Sequence, residues 1–483
     1  MKKYLAIILG VGFLHRLLFL GSRQLWIDEL MQARIIRDAS ASDIVARLRT
    51  GMDMASPLDF FIQRGVTLLF GDSTWALRLP AAVWGTLAIW IFFRIARTLF
   101  GDRVAVYAAA LFAFYPLAYH YSQEARPYAL LMFLTLLSYD LLLRQVLVKD
   151  CPRRGWLAIA GVLTLLLYTS FLGGLILCAQ FAALALGSAG IGRATCFPGG
   201  DDALREGQRP GVRWPQLALY ALAAAAAVAL FYPWMRFALE RPQLAPASEI
   251  LDPKLILRLI KELGDHSYPV SGLLLIGSVV GIRALLRHGR RDALMWLGTW
   301  FLLPIPILLV AEIWAGYFFA IRHILHATPS LLLIAGYGLS YVGERLTILP
   351  HLPYQLSSPA IAYAGLLVIA CGYIGQSHAR SEPLDWRGTA AFLTRTMQPG
   401  DAITIPWVYP LLEYYNPGLE SMRVDDLDPG PGLLATESVR RRIVVCPDTM
   451  TPDPCGPFRA GALQDPSWGR TDFKGFSIFV RGK

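Results

Sequence analysis

Hydrophobic residues fall in long runs, separated by short polar stretches, from residue 4 to about residue 376, where the pattern changes. A bilayer crossing by a helix needs about 20 mostly apolar residues. On that measure about eleven spans are expected: 4–20, 75–99, 104–121, 126–147, 156–171, 173–187, 215–233, 269–286, 293–312, 323–342 and 358–376. The stretch 156–187 is too long for a single crossing, and glycine breaks a helix, so Thr169–Gly174 predicts a hairpin. Between the first two spans, 22–74 holds an amphipathic piece near 29–49 and the apolar stretch Pro57–Ile62. Pro57 suits the first turn of a helix. These pieces read as helices lying in the membrane interface.

From 377 to 483 the pattern is that of a small α/β domain. Short strands are expected at 401–405, 441–445 and 476–480, and a helix at 384–397. Proline and glycine between 399 and 470 mark loops. The chain shows no internal repeat and no long low-complexity tract. The expected division is a transmembrane domain over 1–376 and an extracytoplasmic domain over 377–483.

Composition agrees with the pattern. Of 483 residues, 55% are hydrophobic and 17% charged, and the mean hydropathy is +0.45, which excludes an ordinary soluble globule. The net charge of +10 would suggest nucleic acid in a soluble protein. Here the excess lies largely in short loops, where it orients spans and meets anionic lipid. With the N-terminus inside, the inner loops hold Arg94, Arg97 and Arg103, then Lys149, Arg153 and Arg154. Later inner loops hold Arg193, Arg205, Arg209 and Arg213, then Arg283, Arg287, Arg290 and Arg291. An odd number of spans then puts the tail outside. Met1-Lys2-Lys3 and its apolar run read as an uncleaved anchor, since no small-residue cleavage site follows. Cys446 and Cys455 lie close together in the tail, and a disulfide between them fits an oxidising compartment. The first outer loop carries Arg23, Arg34, Arg37, Arg47, Arg49, Arg64 and Arg78 against the charge bias. Anionic lipid or phosphate is the evident reason for a basic outer loop.

Three constellations carry candidate chemistry. Asp28-Glu29 sits just past the first span, where ionisable groups are costly and usually functional. A carboxylate there can take a proton from an attacking hydroxyl. The plainer reading makes Asp28 the cap of an interfacial helix. The second is Tyr119–Tyr128, on a very short outer loop with Tyr121, Glu124, Arg126 and Tyr128. Arg126 can grip a phosphate through a bidentate fork. Its plainer reading is an aromatic belt with Arg126 snorkelling beside Glu124. The third is Tyr317–His323, at the outer entry to the tenth span. Arg322 is a second phosphate clamp there, and His323 with His326 forms a weak metal pair lacking a third ligand at set spacing.

In order and in membrane side, these features resemble a known family. The carriers are Asp28-Glu29, "HYSQEARPYALL" from His120, "IRHILHATPSLLLIAG" from Ile321, and "DWRGTAAFL" from Asp385 followed by "PGD". Together they look like the C-type glycosyltransferases that use polyprenyl-phosphate sugars, in the bacterial branch with protein O-mannosyltransferase-like and lipid A aminoarabinose transferase-like enzymes. The resemblance implies an α-helical polytopic fold with interfacial helices in the first outer loop. It implies an inverting transfer at the outer face of a bacterial inner membrane. It makes Asp28 the base, Glu29 its neighbour, and Arg126, Arg322 and Tyr128 contacts of the donor phosphate. Asp53, Glu124, Tyr121 and His323 are further donor- or acceptor-site residues. Where many members have an acid or histidine before a Pro-Pro-Leu run, this chain reads Met52-Asp53-Met54-Ala55-Ser56-Pro57-Leu58, and Asp53 stands in. No cofactor is required on this reading, and a divalent metal has little support. The expected partners are the lipid donor, an acceptor glycan, lipid or protein, and membrane lipid, with no nucleic acid. A polysaccharide-assembly membrane protein is one rival, and a lipid-linked-sugar flippase or other transporter is the main one. A transporter calls for charges at mid-membrane facing a pore, and the spans here are poor in mid-span charge, with Asp140 of the fourth span the exception.

Overall fold

The computed structural model describes residues 2–51, 53, 55–147, 153–191, 212–240, 255–315, 320–345, 385–404, 415, 440–448, 455–473 and 476–482. Its contacts divide into two units. One comprises 1–21 and 38–375, the other 22–37 and 376–483.

The larger unit is helical. Its elements are α1 (Lys2–Leu17), α3 (Ala41–Arg49), α4 (Leu58–Phe70), α5 (Thr74–Phe100), α6 (Asp102–Ala113), α7 (Pro116–Tyr121), α8 (Tyr128–Leu147), α9 (Arg153–Thr169) and α10 (Gly173–Ser188). Then come α11 (Trp214–Leu239), α12 (Leu255–Leu263), α13 (Tyr268–Arg287), α14 (Arg291–Leu302), α15 (Pro304–Ala315), α16 (Ile321–Ile324), a 3₁₀ turn and α17 (Thr328–Arg345). Among the described residues, five segments are long and apolar enough to cross a bilayer: 74–100, 128–146, 214–237, 268–287 and 291–311. These five coincide with the expected spans 75–99, 126–147, 215–233, 269–286 and 293–312. The expected span 104–121 is broken at Phe114–Tyr115, while 291–311 carries a single turn residue, Leu303, between α14 and α15. The expected span 358–376 lies outside the described residues. The long run does break at Ser170–Leu172, inside the stretch expected to form a hairpin.

Small residues set the closest helix approach. Gly277 and Gly281 of α13 lie four apart on the face that meets α17. A Cβ on Gly281 would stand 2.0 Å from the Ile334 carbonyl oxygen, and one on Gly277 3.2 Å from the Ala335 methyl. In lipid no hydrophobic drive pulls helices together, so close backbone packing of this kind carries the association.

The buried acid of α8 is paired. Asp140 of α8 is buried, with Arg94 Nη2 of α5 at 2.6 Å and Arg144 Nε at 3.0 Å. It lies toward the C-terminal end of α8. It is accounted for by its ion pairs, because a carboxylate at that depth must be matched by cations.

The smaller unit contains α2 (Ile27–Ile36), α18 (Trp386–Thr396), β1 (Asp401–Thr404), β2 (Arg441–Pro447), α19 (Gly456–Gln464), β3 (Gly469–Phe473) and β4 (Phe476–Gly482). The piece expected near 29–49 is thus two helices, α2 and α3. The strands form one sheet in the order β1-β2-β4-β3, with β1 parallel to β2 and the other pairs antiparallel. The three expected strands are present, and β3 is an addition. Its alternating Arg470 and Asp472 hide an edge strand, whose polar residues guard it against further pairing. Val444, Cys446, Cys455, Phe458, Ala462, Trp468 and Phe479 form the core. A disulfide joins Cys446 of β2 to Cys455, just ahead of α19. Asp385 caps α18 by accepting from the Gly388 N–H at 2.8 Å.

Asp401 at the start of β1 accepts from Arg441 at 3.0 and 2.6 Å. Burial works against its charge, but the Arg441 guanidinium and the Gln398 N–H outweigh it and hold the carboxyl below its ordinary range. A depressed folded pKa gives stability that is present above the unfolded value, near 4, and is lost as pH falls through the folded one. The gap in melting temperature between wild type and Asp401→Asn is therefore expected to be widest at neutral pH and to close in acid. A gap that grows on acidification would contradict the pairing.

Candidate functional site

The site in the helical unit begins with a proline. A residue before proline is pushed out of the helical region, so Pro116 ends α6 and restarts the chain as α7. Tyr115 is extended, at φ −67° and ψ 121°. The break leaves carbonyls of α6 without helical donors. Arg16, fully buried near the C-terminal end of α1, answers them. Its Nη1 donates to Ala113 O and Gly12 O, both at 3.1 Å, and its Nε to Ser122 Oγ at 3.1 Å. Gln123 Nε2 donates back to Arg16 O at 3.0 Å and Leu18 O at 2.7 Å. The loop after α7 is thus pinned to the end of α1. Position 85 must be glycine, since a Cβ there would stand 2.0 Å from Ser122 Oγ. Arg16 has no place in the sequence reading. Its only signal is a cation inside an apolar run.

This frame presents the Tyr119–Tyr128 motif. Arg126 Nη1 lies 2.6 Å from Asp53 Oδ2, both side chains about nine-tenths buried, at 9% and 10% exposure. Asp53 Oδ1 accepts from the Ala55 N–H at 2.8 Å, which fixes the carboxylate. Two residues that the sequence offered separately for the site therefore hold each other. The Tyr121 and Tyr128 rings meet edge to face at 4.9 Å, and both line a small cleft with Gly85, Phe112, Ser122 and Leu325. Glu124 does not pair with Arg126 in the way the snorkelling account supposes. Its Oε1 is 2.8 Å from His120 Nε2, and the other ring nitrogen is 3.5 Å from Asp265 Oδ2. Asp265 follows α12 at φ +50°, a backbone state uncommon for a side-chain-bearing residue. Nothing in its sequence context marks it.

The third constellation joins the same cluster. Tyr121 lies within electrostatic reach of Glu124, Tyr128, Arg322 and Asp265 together. His323 Nδ1 accepts from the Ala320 N–H at 3.1 Å, a bond that closes the first turn of α16. His326 is buried, and its carbonyl accepts from the Trp300 indole at 3.0 Å. Among the described residues no group of three His, Cys, Asp or Glu side chains is gathered as a metal site.

Asp28 and Glu29 belong to the smaller unit. The capping expected of Asp28 is performed by Glu29. Glu29 is fully buried at the third position of α2, and its Oε2 accepts from the Trp26 N–H at 3.2 Å. A Glu side chain at that position is the one that can reach back to the cap residue's N–H. Asp28, one position earlier, is half-buried. The segment is tied to the tail. Gln24 Oε1 accepts from the Arg387 N–H, and the Tyr415 hydroxyl accepts from the Leu25 N–H, both at 3.3 Å.

Comparison with known proteins gives two findings. Residues 54–194 match the family model described as dolichyl-phosphate-mannose-protein mannosyltransferase. No curated protein matches the chain by sequence. Among solved structures, ArnT from Cupriavidus metallidurans in the apo state is similar, with a TM-score of 0.65 and 14% identity over 99% of this chain and 98% of that one. The same protein bound to undecaprenyl phosphate gives a TM-score of 0.62 at 14% identity, over the same shares. The oligosaccharyltransferase AglB from Archaeoglobus fulgidus, in complex with an inhibitory peptide and a dolichol-phosphate, gives 0.55 at 12% identity, over 99% of this chain and 74% of that one. The chain has the fold of the C-type membrane glycosyltransferases, with the mannosyltransferase family's sequence pattern across residues 54–194.

Proposed function

We propose that this chain is an inverting glycosyltransferase that moves a sugar from a polyprenyl-phosphate donor to an acceptor hydroxyl at the outer face of a bacterial inner membrane. The supporting observation is a loop that carries Tyr121, Arg126 and Tyr128, with Arg322 within electrostatic reach of Tyr121, in a fold whose solved relatives carry undecaprenyl phosphate or dolichol-phosphate. In the reaction the acceptor oxygen attacks the anomeric carbon and the bond from that carbon to the phosphate oxygen breaks. The bonding electron pair leaves with the phosphate, and Asp28 takes the acceptor's proton. Arg126 and Arg322 are always charged, so they meet the developing negative charge with no reorganisation. Glu29 holds the first turn of α2, and so the backbone beside Asp28. The tail carries that segment, which gives 377–483 a supporting role in the extracytoplasmic compartment. The flippase reading gains nothing from Asp140, whose charge is matched by Arg94 and Arg144.

Deletion of the gene tests this reading. Mass spectrometry of membrane lipids is expected to show a sugar-bearing polyprenyl phosphate that accumulates, and that returns to its basal level with wild-type protein but not with Asp28→Asn. An unchanged lipid profile in the deletion strain would count against a transferase.

A further inference from the structure

The donor and the product of this reaction differ in charge. A sugar joined to a polyprenyl phosphate makes a phosphodiester with one negative charge. Once the sugar leaves, the lipid carries a phosphate monoester of about −1.5 to −2 at neutral pH, with a second pKa near 6. A site built only of fixed cations would hold the product more tightly than the donor, and turnover would stall on release. Asp53 answers that problem. Its carboxylate lies 2.6 Å from Arg126 Nη1 and is anchored through Oδ1 to the Ala55 N–H at 2.8 Å. A guanidinium has five N–H donors in a fixed fork, so one carboxylate leaves others to face a phosphate.

We propose that Asp53 is a specificity-determining residue that sets the charge of the lipid phosphate accepted at Arg126. It shares the guanidinium with the phosphate, lowers the pull on any anion, and penalises the second negative charge of the product. The donor monoanion is thereby favoured and the spent lipid phosphate is let go. This inference rests on the assignment of Arg126 to the phosphate. It goes beyond that assignment in giving its partner a role in product release.

The test uses undecaprenyl phosphate itself, titrated into the purified full-length protein between pH 5.5 and 8, so the sugar need not be known. Wild type is expected to change affinity by less than about threefold across the range, although the ligand gains charge. Asp53→Asn is expected to bind about tenfold more tightly than wild type at pH 7.5, and to tighten as pH rises through the ligand's second ionisation. Arg126→Ala is expected to weaken binding alike with Asp53 or with Asn at that position. Two results would overturn the proposal. One is a wild-type affinity that climbs steeply as the dianion forms, which needs no variant to observe. The other is an Asp53→Asn protein of wild-type melting temperature with unchanged or weaker affinity. Unchanged affinity in Arg126→Ala would instead remove the phosphate assignment beneath the proposal, and the proposal with it.

Discussion

Asp28→Asn is expected to lower turnover by about 10²–10⁴, the range lost when a general base is removed. The substitution keeps the shape and hydrogen-bonding capacity of the side chain and removes only its basicity. The fold should tolerate it. The first turn of α2 is held by Glu29 through the Trp26 N–H, and Asp28 is only half-buried. Two controls separate chemistry from structure. Glu29→Gln retains an acceptor oxygen for the Trp26 N–H and is expected to keep most activity. Undecaprenyl phosphate binding should be little changed by Asp28→Asn, because that ligand brings no acceptor hydroxyl whose proton the base would take. Wild-type turnover in purified Asp28→Asn protein would rule out its role as base.

Arg126→Ala is expected to lower turnover by about 10²–10³, the loss typical of one preorganised donor to a developing anion. Part of any loss has a structural origin. Removing the guanidinium takes away the cation paired with the buried Asp53 carboxylate, and breaking a buried ion pair on one side costs about 3–5 kcal/mol. The double variant Asp53→Asn with Arg126→Ala isolates the chemical part, since it leaves no buried charge behind. Turnover should stay low in the double variant while its melting temperature recovers toward wild type. Arg126→Lys should rescue little, because an ammonium cannot reproduce a planar fork shared between a carboxylate and a phosphate. If activity and stability recover together in the double variant, Arg126 serves the fold alone.

The same ion pair shows where reading the sequence stops. The motif around Arg126 and the acid at Asp53 can each be picked out by residue type and membrane side. They are 73 positions apart, and their pairing follows only from how α4 and the loop before α8 pack. Asp265 contributes to the same region with no local signature, and Arg16 with only that of a cation inside an apolar run. Arg16 is needed because Pro116 breaks a helix whose carbonyls then lack donors. That need exists only once α1 lies against α6.

The runs of apolar residues, the hairpin near Thr169–Gly174, three of the four tail strands and the helix after Asp385 were determined by the sequence alone. Each depends on a local rule: hydrophobic length against bilayer thickness, glycine as a breaker, alternation, or a capping side chain. The tertiary structure decided the rest. It divided the expected span 104–121 into two shorter helices, and it grouped the Asp28 segment with the tail instead of the helices that follow it. It also gave the capping role to Glu29 and set Asp53 on Arg126. The physical reason is common to all four. Hydropathy records how well a residue tolerates lipid, whereas the partner of a buried polar group is fixed by which distant segments fold against it.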